Sequence, residues 1–438
     1  MLKKSIHLIL TLCLLALTVQ AQTITDKNIY PEPPPPILPA AGGAFTDPVF
    51  HTTLLRVTDE RDGKSNTNSY SYWPSLNCNN TRLFYTSDGT GMIADFDAVN
   101  LRISNKRPLW AQPLPGGGQL GTEDAIWSGL DPDVIYSHWA MKIWAYNVKV
   151  NTYTLVADFT GKAGIAANLQ QMSKSPDDNA FGFNIQDTNW NRLGCLAWRK
   201  SQNDIYTYFG TIDEVEVDKT GKYLVVLTGQ QGAGVIETKI VNLDTRTVTD
   251  LTDNAPDFAP GHKDVGKGTV IGEDNWNNGV TFRQLAMPHQ FINVLSSGSD
   301  WSQGRHISTL ADDEAWMLVS AYVVPANPPA SGPFHNEIFL VSTDGQQRVR
   351  RICHHHSVLR DYWDSPRADI SRDGRFAVFT SNWGSTTRRD VFVVAIPPVG
   401  GTTLPPAPGI TIPRDGAELV IRDSGGRELF KIRLNPQQ

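Results

Sequence analysis

The chain has 438 residues, with 39 Lys and Arg against 45 Asp and Glu, a formal net charge of −6. That mild acidity argues against nucleic acid or an anionic membrane surface as partner, because both need a positive face. A chain of this length with 4 cysteines is no disulfide-built scaffold and has residues enough to bury a large core.

The first segment sets the expected compartment. Lys3-Lys4 precedes an apolar run over 8–17, and Val19-Gln20-Ala21 forms a small-x-small cleavage signal. The apolar run is too short to span a bilayer and ends at the cleavage site, so residues 1–21 read as a bacterial secretory signal peptide cleaved near Ala21. The expectation is a secreted or periplasmic protein, soluble, monomeric and without a membrane span. The mature chain keeps Cys78, Cys195 and Cys353, an odd number that points to packing rather than disulfides. Residues 22–45 form a proline-rich linker, dense in proline over 31–39.

From residue 46 to 397 one unit recurs: a short strand, a tight polar turn, then an apolar strand. The clearest copy is Ile370-Ser371-Arg372-Asp373-Gly374-Arg375-Phe376-Ala377-Val378-Phe379, where Asp373-Gly374 predicts a two-residue hairpin turn. Upstream, the unit over 70–87 turns at Asn79-Asn80, that over 124–136 at Asp131-Pro132-Asp133, that over 172–183 at Asp177-Asp178 and that over 213–227 at Thr220-Gly221. Segments 262–272 and 306–320 complete about seven units, spaced by roughly 40–60 residues with no amphipathic helix between them. This is the pattern of an all-β, seven-bladed β-propeller, whose closure leaves only short strand edges. The proline-rich loop 325–333 interrupts the sixth unit. Residues 398–413 form a second linker, and 414–438 alternate as a strand pair around Ser424-Gly425-Gly426, a tail able either to stand as a hairpin or to close the first blade.

The candidate chemistry lies in units five to seven. His262 and His306 precede the turns of their units, near the starts of innermost strands, and Cys353-His354-His355-His356 leads into the seventh. In a propeller these places meet at one end of the channel, where imidazoles can hold Zn²⁺ or Mn²⁺ with a position left open. Set against this, a lone His at a strand start is commonly structural, and alternation of side chains lets at most two of the three consecutive histidines point inward. Asp264, Asp369 and Tyr362 lie close by in sequence. Cys353 is either a fourth ligand or an inert buried thiol. His138, flanked by Tyr136 and Trp139, is a candidate proton acceptor. Arg305, Arg360 and Arg367 either clamp an anionic group or pair with acids between blades. The 12 tryptophans are blade-packing residues or sugar platforms.

The Ser-Arg-Asp-Gly-Arg turn and the Thr380-Ser381-Asn382-Trp383-Gly384 loop resemble the WD40-like repeats of TolB-type propellers, across most of residues 50–397. Gly261-His262-Lys263-Asp264, Arg305-His306-Ile307-Ser308 and the His354–His356 run are similar to secreted propeller polysaccharide lyases of the oligogalacturonate and ulvan lyase kinds. That resemblance implies a divalent metal held by His262, His306 and one of the histidines of the 354–356 run, with His354 and His356 as the candidates. It also implies β-elimination on an acidic polysaccharide, with His138, Tyr362 and Arg367 filling the catalytic roles. The chain departs from the oligogalacturonate lyase pattern in having no Gln beside the histidine run, only Gln303 nearby. The rival expectation is a non-catalytic TolB-like module that binds an envelope protein or a glycan.

Overall fold

The computed structural model describes residues 23–229, 237–251, 261–274, 277–296, 303–324, 332–384, 386–398, 418–422 and 428–433. The expected signal peptide, most of the 325–333 loop, the 398–413 linker beyond its first residue and the Ser424-Gly425-Gly426 turn lie outside them. Seven antiparallel sheets follow one another along the chain, each beginning at the channel and running outward. Their innermost strands are Asn66–Thr67, Ile126–Trp127, Asn168–Lys174, Ile212–Val217, Lys263–Val265, Gln303–Ser308 and Asp369–Ile370. This is the expected seven-bladed propeller. No described helix is long and apolar enough to cross a membrane.

In four of the blades the announcing turn has a different geometry from the one expected. Asn77, Ser175, Asp218 and Ser371 each accept, through the backbone carbonyl, the N–H of the residue three positions on. That fourth residue alone takes a positive φ: Asn80 at 55°, Asp178 at 56°, Gly221 at 69° and Gly374 at 71°. Asp373 is not left-handed, so the two-residue hairpin is replaced by a longer turn ending in a left-handed residue. Only Gly, Asn or Asp enters that region cheaply, which is why those residues mark the repeat. The first residue's side-chain oxygen then caps the next strand, accepting the N–H of Arg82, Ala180, Tyr223 or Phe376 at 2.7–3.0 Å.

The ring closes through the N-terminal part of the chain. Thr53–Arg56 pairs antiparallel with Asp390–Ala395, placing Leu54 opposite Val394 and Arg56 opposite Phe392. Ala44–Thr46 adds a fifth strand outside it. Arg56 Nη2 donates to Asp390 Oδ2 at 2.7 Å and Thr58 Oγ1 to Asp390 Oδ1 at 3.0 Å, so the seam is buried and charge-locked. The tail is a separate compact unit, residues 398–438, in which Glu418–Arg422 pairs with Glu428–Arg433. It forms a hairpin of its own, and the closing strand is Thr53–Arg56.

Blade one departs from the repeat. Its inner strand, Asn66–Thr67, is as short as those of blades two and seven, and residues 68–76 then run as irregular chain with one isolated bridge, Leu76 to Leu83. This segment reaches the other blades one side chain at a time. Tyr72 donates to Glu214 at 3.0 Å, Trp73 Nε1 to the Met172 carbonyl at 2.8 Å, and Ser75 Oγ to Asp369 at 2.7 Å. Burial pushes Asp369 up to about 7 in spite of those hydrogen bonds. Deeper in the channel Lys263 is fully buried between Glu214 and Glu216. Burial, against the pull of Lys263, pushes Glu216 up to about 8.

Candidate active site

Tyr70, carried by the irregular segment of blade one, meets the inner strand of blade six. His306 lies in the middle of Gln303–Ser308, whose pleat turns its ring inward, and it is fully buried. His262, just before Lys263–Val265, stacks on it with ring centroids 4.2 Å apart. Tyr322 stacks on the same imidazole at 5.2 Å, and Tyr70 meets it edge-on at 5.2 Å. Tyr362 donates its hydroxyl proton to Tyr70 Oη at 2.7 Å. Among the described residues neither ring nitrogen of His306 makes a hydrogen bond, and His262 Nδ1 lies 3.7 Å from the Glu273 carboxylate. Burial, then the neighbouring His262 and Arg367, pushes His306 well below the ordinary imidazole range, so it is neutral at pH 7. Burial also raises Tyr70 and Tyr362, which keeps both phenols protonated.

The three arginines differ in their partners. Arg305 lies 3.5 Å from Glu273, and Arg360 pairs with Asp364 at 2.8 Å. Arg367 is 1% exposed, yet among the described residues it pairs with no carboxylate. It donates only to the carbonyls of Ser365 and Trp363, both at 3.3 Å, and lies 4.7 Å from the Trp363 ring. Its backbone sits at φ 42°, a strained conformation for an arginine. Arg367 lines a cleft of about 260 Å³ together with Tyr70, Glu123 and Trp363. Burial, then the neighbouring Asp124, raises Glu123.

A second cleft of about 340 Å³ shares Thr122 and Glu123 with the first and extends over blades two and three. His138 lines it, with Nε2 at 2.7 Å from Asp124 Oδ2, and Asp124 also accepts the Met172 N–H at 3.0 Å. His138 is therefore an oriented imidazole beside the second cleft, separate from the His262–His306 stack.

His354 and His356 do not join that stack. The strand Val349–His354 is the outermost of its blade, so the run lies at the rim, where the leader covers it. His356 Nδ1 is 2.9 Å from Glu32, and His354 Nε2 is 3.3 Å from the Tyr30 carbonyl and 3.8 Å from Glu337. His355 is satisfied on both nitrogens: Nε2 donates to the Ala321 carbonyl at 2.9 Å and Nδ1 accepts the Ser357 N–H at 3.0 Å. Arg351 pairs with Glu337 inside the same rim cluster, and both side chains are fully buried. Cys353 is buried and its thiol is pushed well above the usual range by that burial, as an inert thiol is.

The divalent metal implied by resemblance was set against these donors. The stacked imidazoles of His262 and His306 offer two nitrogen donors, but the third imidazole is engaged at the rim. Among the described residues no group of three or more His, Cys, Asp or Glu is placed to hold an ion. A three-histidine site does not fit. The sequence reading missed Tyr70, Tyr322 and Glu123; their signal was the aromatic cluster Tyr70-Ser71-Tyr72-Trp73, which reads as strand, and an acid pair that nothing local marks.

No protein-family model and no curated protein sequence matches the chain. Among solved structures it is similar to an oligogalacturonate lyase from Vibrio parahaemolyticus, at 9% identity over 83% of this chain and 99% of that one, TM-score 0.60. An oligogalacturonate lyase in complex with manganese aligns over 83% of this chain and 98% of that one, at 10% identity and TM-score 0.61. TolB from Acinetobacter baumannii aligns at 14% identity over 66% of this chain and 63% of that one, with a TM-score of 0.32, too low to carry an argument. At these identities the likeness is one of architecture: the chain is a seven-bladed β-propeller of the shape that oligogalacturonate lyases share.

Proposed function

We propose that the protein is an exported bacterial enzyme that cleaves an acidic polysaccharide by β-elimination. The observation that supports this best is Arg367, a buried guanidinium that pairs with no carboxylate among the described residues and lines a cleft together with Tyr70, whose ring meets the buried His306 imidazole. In this reaction the proton next to the uronate carboxylate is removed and the bond to the glycosidic oxygen breaks. A carbon–carbon double bond forms, and the leaving oxygen takes up a proton. Arg367 pairs with the sugar carboxylate and stabilises the charge that builds on it. The His262–His306 pair, neutral at its buried member, accepts the proton, and the Tyr362–Tyr70 pair, kept protonated by burial, supplies one to the leaving oxygen. His138 lies in the adjoining cleft and is assigned to holding the glycan. No step passes through a metal.

A concave cleft carrying Arg367, Glu123 and Tyr70 on its walls supports an enzyme over a protein-docking platform, which is flat with an apolar centre. The test is to incubate the mature protein with a panel of acidic polysaccharides and follow the ultraviolet absorbance of unsaturated uronate ends. Product from at least one polymer is expected, with activity lost in Arg367→Gln and Arg367→Lys at unchanged melting temperature. Binding without product from every polymer would instead favour the non-catalytic TolB-like module.

A further inference from the structure

The second cleft is built for a different ligand from the first. Its 340 Å³ falls near the lower end of the range for small-molecule sites, about 300–1,000 Å³. Three indoles line it, Trp73, Trp139 and Trp190, and no lysine or arginine does. Trp139 is 41% exposed and Trp190 62% exposed, so neither is packing a blade.

Both exposed indoles are held in place. Trp190 has a φ of 65°, on a loop fastened by Asp187, whose carboxylate accepts the N–H groups of Asn189 and Asn191 at 2.8 and 2.9 Å. A large side chain in the left-handed region is strained, and here the strain presents an aromatic face to solvent. Gly118 lies so close to Trp139 that a Cβ there would overlap the indole, and its φ of 101° suits glycine. On the floor, the strand Asn168–Lys174 bulges between Gln170 and Ser173, with Gln171 at φ 51°. Bulges of this kind re-aim side chains beside binding sites. Gln170 and Gln171 accept through Oε1 from Gln186 and Asn184, which leaves their NH₂ groups for hydroxyl oxygens.

Flat aromatic faces suit the C–H faces of a pyranose, and amides suit its hydroxyls. With Glu123 in the wall, Asp124 already taken up by His138 and no lysine or arginine in the lining, nothing in this cleft is placed to pair with a second uronate carboxylate. We infer that this cleft is a subsite for an uncharged pyranose adjoining the acidic sugar at Arg367, so that the preferred substrate is a heteropolysaccharide in which a neutral sugar neighbours the uronate. This rests on the elimination reading of the Arg367 cleft.

Affinity electrophoresis in gels containing polygalacturonate, hyaluronan or rhamnogalacturonan tests it. The set compares the cleavage-impaired His306→Ala variant with His306→Ala/Trp190→Ala, His306→Ala/Trp139→Ala and His306→Ala/Trp190→Phe. Loss of either indole is expected to weaken binding of an alternating polymer about tenfold while polygalacturonate changes less than about twofold, with Trp190→Phe largely restoring it. Equal weakening for all three polymers, or none for any, overturns the subsite. Wild-type protein that yields no unsaturated product from any of the three sinks the elimination reading alone, because retardation in the gel is read without turnover.

Discussion

Two pairs of histidines occur in this propeller, and their fates diverge. His262 and His306 sit on or beside innermost strands, stacked on each other, with both ring nitrogens of His306 unbonded among the described residues and His262 Nδ1 3.7 Å from Glu273. His354 and His356 sit at the end of an outermost strand, their rings 6.0 Å apart and turned to the carboxylates and carbonyl of the leader and of Glu337. Residue type is the same in both pairs. What differs is the radius at which the sheet places it: near the axis a side chain faces a cleft shared by several blades, while at the rim it becomes a fastener for the segment that covers it.

The largest test of that contrast is catalytic. His306→Ala is expected to reduce product formation by roughly 10²–10⁴-fold, the usual worth of a general base, while His356→Ala leaves it within about twofold. Initial rates on a cleaved polymer check this, with circular dichroism to confirm folding; equal losses in both variants would erase the distinction. The acid limb of the rate profile is expected well below pH 6.5, because burial lowers His306.

His355, between the rim histidines, sharpens the comparison through stability. Burial lowers its pKa to about 4. An imidazole depressed in the folded state is neutral there while the unfolded chain takes up a proton below about 6.5, so stability is full above that pH and falls as pH drops towards 4. The loss is about 3 kcal/mol across that window. Urea melts at pH 7 and pH 4.5 should show this slope in wild type and a flatter one in His355→Gln. The buried carboxylates Asp369 and Glu216 act in the opposite sense in both proteins, so the difference between them carries the result.

The smallest effect is expected at the strap itself. Glu32→Gln removes the charge facing His356 across 2.9 Å, at a position where Glu32 is 25% exposed. A cost of about 1 kcal/mol or less, with faster proteolysis in the leader and unchanged turnover, is expected.

The fold was legible because blade turns need a left-handed residue, and Asn80, Asp178, Gly221 and Gly374 announce it wherever the chain goes next. The closing strand Thr53–Arg56 was not, since four residues carry too little alternation to declare a partner more than three hundred positions away. His262 and His306 were found by their place ahead of the turns. Nothing local separates Arg367 from Arg305 and Arg360, because the presence or absence of a carboxylate partner is decided by tertiary contacts. The histidine run was read as an inter-blade connection, whereas His354 still belongs to the outer strand, and that short step in register moves it from the axis to the rim.

The seam between Thr53–Arg56 and Asp390–Ala395 also has a temporal meaning. Its ion pair joins residues 334 positions apart, so nearly the whole chain must emerge before the first and last blades meet. Loop-closure entropy is lost before that contact repays it, which makes the final step slow and leaves blade seven with an open edge until then. A chain that crosses a membrane before folding meets this condition naturally, and one shortened by fifty residues at either end of the ring would expose that edge permanently and aggregate rather than fold into six blades.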